Sequence, residues 1–317
     1  MVVLPGPTGA HNWHPMSYSE DTGLVYIPTN IWPLIYSRPD PENTVKSNWN
    51  IGYRVDAGWP LTIPAGGIED MRSMGGGSLL AWDPVKGEAR WAVPFPVPFN
   101  GGTLSVASGL VFQAHKGGEL VAYDAETGER VWSHGLVGGP GAAPMTYEVD
   151  GEQYITILSG WGSTIAMVYG VVFEDAVGPE MGRVITFKLG GQETLPKPLE
   201  NGIARTPKSE PLGDDALQTK GLRLFAANCQ WCHGAFAISS GVLPDLRWSA
   251  ITATEASWDA VLREGALTTR GMVSFADRLD KEETDAIRAY VVRQAWNAQA
   301  LDEADAPKAT AADMAAH

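Results

Sequence analysis

Two cysteines in 317 residues are too few for a disulfide-stapled fold. Basic residues are scarce as well, 23 against 37 acidic ones, and the formal charge of −14 disfavours nucleic acid or an anionic membrane surface as partner. No apolar run approaches the roughly 20 residues of a membrane span. The start lacks the basic and apolar regions of a secretory signal, since Met1–Val2–Val3–Leu4 meets Pro5, Gly6 and Pro7 at once. The remainder is ordinary globular composition, 44% hydrophobic, which can bury one large core or two smaller ones.

Both cysteines fall in one pentapeptide, Cys229–Gln230–Trp231–Cys232–His233. Cys-x-x-Cys-His is the pattern of covalent haem c attachment: Cys229 and Cys232 add to the haem vinyl groups and His233 supplies an axial iron ligand. A redox dithiol also uses Cys-x-x-Cys but does not need the histidine. Half of a zinc site would want a second cysteine or histidine pair near by. Bacterial haem c attachment places the protein in the periplasm, so a signal is expected upstream of this chain unless the haem is never attached.

Residues 1 to about 190 read as short strands and turns, rich in glycine, tryptophan and β-branched residues. Ala81–Trp82–Asp83, Gly87 and Trp91 recur as Ala122–Tyr123–Asp124, Gly128 and Trp132, with the same spacing of 41 positions throughout. A period near 40 built of strands signals a β-propeller blade. In each copy the aspartate opens a turn, the glycine closes it at positive φ, and the indole packs between neighbouring blades. Thr22–Tyr26 and Ser108–Phe112 also match, 86 positions apart or about two periods, which gives three to four blades' worth of chain. The Pro/Gly/Trp-rich stretch from Ile31 to Gly77 lacks the repeat and reads as a long surface insertion.

Residues 191–214 read as a Pro/Gly-rich linker, and the signal then changes to helix. Leu217–Asn228, Thr254–Glu264 and Lys281–Ala298 carry helical patterns, and Ile287, Tyr290, Val291 and Ala295 form an apolar face in the last. Residues 301–317 are Ala/Asp-rich and read as a disordered tail. Met272, in a glycine-containing loop between helices, is the best second iron ligand, and Met314 in the tail a poor rival. The Pro244 loop is placed to offer a carbonyl to the other nitrogen of His233. Arg247 is placed either to pair with a haem propionate or to remain a surface arginine.

These features give residues 215–300 a resemblance to class I cytochrome c modules. The resemblance pairs Gly221 and Phe225 on the first helix with Tyr290 on the last, and departs from the family at Val273, where proline often follows the methionine. His11–Asn12–Trp13–His14–Pro15–Met16, the blade repeats and Phe99–Asn100–Gly101–Gly102–Thr103 resemble the C-terminal part of pyrroloquinoline quinone (PQQ) alcohol dehydrogenases of the quinohaemoprotein type. The fold class implied is multidomain: an incomplete part of an eight-bladed all-β propeller (1–190) followed by an all-α cytochrome c domain.

What the resemblance implies is specific. Asn12, Trp13 and Asn100 would line the PQQ pocket, with Phe99–Gly102 close to the quinone and Gly139–Ala143 approaching it. His11 and His14 have metal-ligand spacing, but two histidines are too few for a defined site. The family oxidises an alcohol to an aldehyde at Ca²⁺-bound PQQ and passes electrons through haem c to a cytochrome, copper protein or quinone. Its Glu/Asn/Asp calcium site, aspartate base and adjacent-cysteine disulfide are not supplied here. The chain therefore reads as the C-terminal portion of a longer enzyme, inactive alone and with two sheet faces left uncovered. The alternative is an electron-transfer cytochrome attached to a non-catalytic propeller remnant.

Overall fold

The computed structural model describes residues 1–6, 8–37, 60–64, 66–136, 138–160, 167, 168, 170, 182–196 and 205–305. Met314, most of the expected tail, and parts of the insertion and linker lie outside the described residues. The first half holds strands β1 (Val2–Val3), β2 (Ser17–Ser19), β3 (Leu24–Ile31), β4 (Leu34–Ile35) and helix α1 (Gly67–Ser73). Strands β5 (Gly76–Asp83), β6 (Glu88–Phe95), β7 (Thr103–Val106), β8 (Leu110–His115), β9 (Glu119–Asp124) and β10 (Arg130–Gly135) follow. The last are β11 (Met145–Val149), β12 (Glu152–Ser159) and β13 (Arg183–Lys188).

These strands form two four-stranded antiparallel meanders, β2-β3-β5-β6 and β7-β8-β9-β10, and a three-stranded β11-β12-β13 sheet, with β1 and β4 as a separate pair. Each meander is a propeller-type blade. The sequence repeat is also a repeat of register: Ala81 faces Trp91 and Ala122 faces Trp132, and each pairing shifts by one residue at the adjacent position. Asp83 accepts bonds from the amides of Val85 and Lys86 at 3.0 Å, Asp124 from those of Glu126 and Thr127, and Gly87 and Gly128 take φ of 71° and 76°. The turn chemistry is therefore the one the residue types call for.

The three sheets fall within the expected three to four blades, but the two-period spacing behind that number needs correcting. β3 and β8 are the second strands of neighbouring sheets, not of sheets two apart. The extra spacing between them comes from the insertion between β3 and β5, which adds chain without adding a blade.

Side chains alternate across each strand, so the middle sheet has two apolar faces. Val111, Val121 and Tyr123 pack with Leu24, Tyr26, Leu79 and Ala81 of the first sheet, while Phe112, Ala114, Leu120 and Ala122 pack with Ile157 and Ile185 of the third. β8 and β9 are accordingly buried through their centres, whereas every residue of β11 is exposed.

The second half contains α2 (Asp215–Asn228), α3 (Gln230–His233), α4 (Glu255–Leu262) and α5 (Lys281–Asp305). Asp214 caps α2 through the amide of Leu217, and Thr254 with Ser257 forms a capping box on α4. α5 runs past the expected end of the helix to Asp305, because Leu301–Asp305 are tolerable helix residues that continue an established ladder. α2 and α5 meet at Gly221, where a Cβ would strike the Ala286 carbonyl and come 2.8 Å from Cβ of Tyr290. Phe225 and Tyr290 pack there with ring centroids 5.3 Å apart.

The expected surface insertion is not wholly superficial. Ile63, Trp32 and Phe99 share one buried cluster with Ala235, Phe236 and Ile238, and Gln294 and Arg293 of α5 bond to Leu61 and Thr62. The insertion thus carries apolar groups into the seam between the blades and the helices, because both sides present hydrophobic surface there.

Candidate functional site

Cys229 caps the C-terminal end of α2 and begins the single turn that carries Gln230–His233. Its backbone accepts from the amides of Cys232 and His233 at 3.1 and 2.9 Å, so one helical turn sets the spacing of all three groups. Cys229 is buried and Cys232 exposed, which puts one thiol inside the domain and one at its rim. Burial, with a smaller contribution from Cys232, pushes the Cys229 thiol up to about 12. A redox dithiol needs a stabilised thiolate, so this environment argues against the dithiol reading.

His233 is buried, and its Nδ1 lies 3.1 Å from the carbonyl oxygen of Pro244. A carbonyl only accepts, so Nδ1 carries the proton and Nε2 is left with its lone pair. Burial lowers the His233 pKa, the Pro244 bond opposing it, and favours the neutral imidazole that a metal requires. Met272 packs, half-buried, against the core cluster that contains Cys229, in the loop after Thr268–Arg270. A buried thiol and a thioether on one core, with a rim thiol and a neutral imidazole in the helical turn that the buried thiol begins, fit a haem c.

Arg247 is not the surface arginine of the alternative reading. It is buried, bonded through Nε and Nη2 to Asp245 at 2.7–3.2 Å and set over the Trp248 ring at 5.3 Å. The local cause is Asp245, which caps the Leu246–Trp248 turn and folds the guanidinium back onto it.

On the blade side, the expected pocket residues lie on loops that precede the first strand of a sheet. Asn12 spends its amide locally, donating to the Thr8 carbonyl and accepting from the Trp13 amide, both at 2.8 Å. Trp13 is 57% exposed and stacks on buried His14 with centroids 4.1 Å apart, leaving a broad indole surface toward solvent. Asn100 is buried, donates to Val97 and accepts from the Lys116 amide at 3.0 Å, so its amide positions loops. Gly101, Gly102 and Gly139 each lie where a Cβ would clash with a neighbouring segment. An open aromatic platform beside closely packed glycine loops fits a flat ring such as PQQ.

Three residues were missed in the sequence. Lys116 is fully buried among these loops, in the turn that joins β8 and β9. Trp32 and Phe236 join the blade side to the haem-motif side. Phe99 and Phe236, both in that cluster, have left-handed backbones with φ of 61° and 58°, each costing about 1–3 kcal/mol that the surrounding packing must hold in place.

Comparison with known proteins agrees with both halves. Residues 73–155 match the family described as glucose/ethanol/alcohol dehydrogenase, beta-propeller domain, and residues 216–291 match cytochrome C oxidase, cbb3-type, subunit III. The chain is 40% identical over 302 residues to the quinohemoprotein alcohol dehydrogenase ADH-IIG of Pseudomonas putida, covering 93% of this chain and 40% of that protein. It is 34% identical to the 1-butanol dehydrogenase (cytochrome c) of Thauera butanivorans, covering 91% and 41%. The solved ADHIIG structure superposes with a TM-score of 0.83 at 39% identity, over 94% of this chain and 43% of that one. The quinohemoprotein alcohol dehydrogenase of Comamonas testosteroni gives 0.72 at 31%, over 97% and 43%. The chain spans about two fifths of the length of the curated relatives it matches. In sequence and in fold, then, the chain is similar to a stretch of the quinohemoprotein alcohol dehydrogenases in which PQQ-type propeller is joined to a cytochrome c domain.

Proposed function

We propose that this chain is the C-terminal, electron-exit portion of a periplasmic quinohaemoprotein alcohol dehydrogenase. The observation that carries the reading is the His233–Pro244 bond at 3.1 Å, which presents a neutral imidazole one residue after Cys232. Cys229 and Cys232 would hold the haem by thioethers, and His233 and Met272 would ligate its iron. Arg247, with Asp245, would stand near a propionate. PQQ bound with Ca²⁺ would supply two-electron oxidation of an alcohol to an aldehyde. On the blade side, Trp13 offers the face on which such a ring can lie, and the Asn12 and Asn100 amides fix the loops around it.

The working division is 1–190 for the blades, 191–214 for the linker and 215–300 for the cytochrome c domain. By the same resemblance, the calcium ligands and aspartate base would belong to a portion that this chain does not span, and alcohol turnover would require that portion. Electrons leave through the haem to an external cytochrome, copper protein or quinone.

Two measurements test the reading. Protein produced with a cytochrome c maturation system should give the pyridine haemochrome spectrum of thioether-linked haem. Alcohol-dependent reduction of an artificial dye, with PQQ and Ca²⁺, should appear only when the chain is joined to the rest of the propeller. Dye reduction absent even then would favour a cytochrome on a non-catalytic propeller remnant.

A further inference from the structure

Lysine is among the residues least often found inside a protein, yet Lys116, at the turn between β8 and β9, is fully buried. It stands where the three loops read as the PQQ pocket converge. Its backbone amide donates to Oδ1 of Asn100 at 3.0 Å, and its Nζ donates to the Gly139 carbonyl at 2.8 Å. A Cβ at Gly139 would lie 2.5 Å from the Lys116 carbonyl oxygen, so that loop rests flat on the lysine's main chain. A Cβ at Gly141 would stand 3.2 Å from Nζ and 3.8 Å from Cη2 of Trp13, which puts the ammonium close behind the exposed indole. The Asn100 loop closes the set: the Gly101 amide donates to the Ala114 carbonyl at 2.8 Å, and a Cβ on Gly101 would meet the Ala142 carbonyl at 2.6 Å.

An apolar side chain would fill this space without the cost of burying an ammonium. What only a long cationic donor adds is the bond to Gly139 across the gap between two blades. We propose that Lys116 is a positioning residue of the PQQ site, tying the Asn100 loop and the Gly139–Gly141 loop together behind Trp13 so that the indole face stays open to a flat ring. This rests on the reading of those loops as the PQQ pocket. Lys116 would act through these loops and not on the ring itself. Burial holds its ammonium down to about 8, and its charge contributes to the low pKa of the neighbouring His14, in keeping with a cation packed against the pocket floor.

The test is equilibrium dialysis of PQQ, with Ca²⁺, against the chain joined to the rest of the propeller and against its variants in the same joined form, with haem c content and the urea midpoint recorded for each. Lys116→Met should weaken PQQ binding about tenfold, the worth of one charge-assisted hydrogen bond, while the haem c content stays unchanged. Lys116→Arg, which keeps a cationic donor, should recover most of that loss. Gly141→Ala, whose methyl displaces Nζ without touching the main chain, should weaken binding in the same direction and decides the matter should Lys116→Met not fold. Wild-type binding with unchanged affinity in a folded Lys116→Met or Gly141→Ala overturns the role of Lys116 alone. A joined wild-type protein that binds no PQQ overturns the pocket reading, and the role of Lys116 with it.

Discussion

Trp91 of the first sheet lies against Gly128 of the second, so close that a Cβ on the glycine would come within 2.7 Å of the indole Cδ2. The same indole donates through Nε1 to the Ala125 carbonyl at 3.2 Å, and Tyr26 donates to that carbonyl at 2.8 Å. One turn of the second blade thus docks two aromatic side chains of the first.

This contact separates two glycines that are equivalent in the repeat. Gly87 and Gly128 both have positive φ, but a Cβ on Gly87 meets nothing within 4 Å. Gly87→Ala should cost about 1 kcal/mol for its backbone alone. Gly128→Ala should cost about 2–4 kcal/mol, because the indole must also move. Urea unfolding followed by tryptophan fluorescence measures both; equal costs would show that the blades do not dock through Trp91.

Haem attachment should depend on the helix crossing as much as on the motif. Gly221→Val places a branched side chain against the Ala286 carbonyl and Tyr290, and should lower haem c content severalfold by the overpacking penalty. Absorbance of the purified protein at the Soret band, normalised to chain concentration, reads the effect, and normal haem content would sink the expectation.

The covalent attachment and the sixth iron ligand should separate by spectrum. Cys229→Ala should weaken or abolish covalent linkage in the pyridine haemochrome assay. Met272→Ala should keep the linkage and lose the long-wavelength sulfur-to-iron band, and persistence of that band would assign the sixth position to another group.

Acid should loosen the blades before the carboxylates titrate fully. Burial first, then the charges of Lys116 and His11, brings His14 to about 4, and burial brings His115 to about 4 as well. Both histidines are neutral in the folded chain at pH 6.5, whereas the unfolded chain takes up protons below that value. Their contribution is therefore complete above about pH 6.5, falls as pH drops toward 4 and is gone below it, up to about 3 kcal/mol for each. Urea midpoints measured from pH 7 to 4 should fall, and His115→Gln should flatten the slope. A slope unchanged by that substitution would remove His115 from the account.

Exposed apolar side chains on the third sheet, among them Met145, Tyr147, Leu158 and Val184, leave it covered on one face only. Limited proteolysis should therefore cut within residues 136–190 before it cuts α2 or α5. Resistance of that region equal to that of the haem-loaded helical half would contradict the expectation.

Much of this was legible in the chain itself because it rests on local chemistry. Asp83 and Gly87 make their turn with their own neighbours, and the copy 41 positions later makes the same one. Gly221, Phe225 and Tyr290 marked the helix crossing, since only glycine admits a backbone so near another helix. The spacing of β3 and β8 misled, because period counting cannot tell an insertion from a blade. Arg247 was left open between a propionate and solvent, and Lys116 drew no reading at all, because the burial of a charged side chain is set by packing around it that spacing along the chain does not reveal.

The sequence by itself determined the haem motif, the blade repeat and the order of the two halves, all of which depend on residues close together along the chain. Only the tertiary structure decided which strands share a sheet and that the insertion enters the seam beside Phe236. It also decided that Lys116 sits behind Trp13. Those outcomes come from which apolar surfaces and buried polar groups find one another across long stretches of chain, and no spacing along the sequence encodes that.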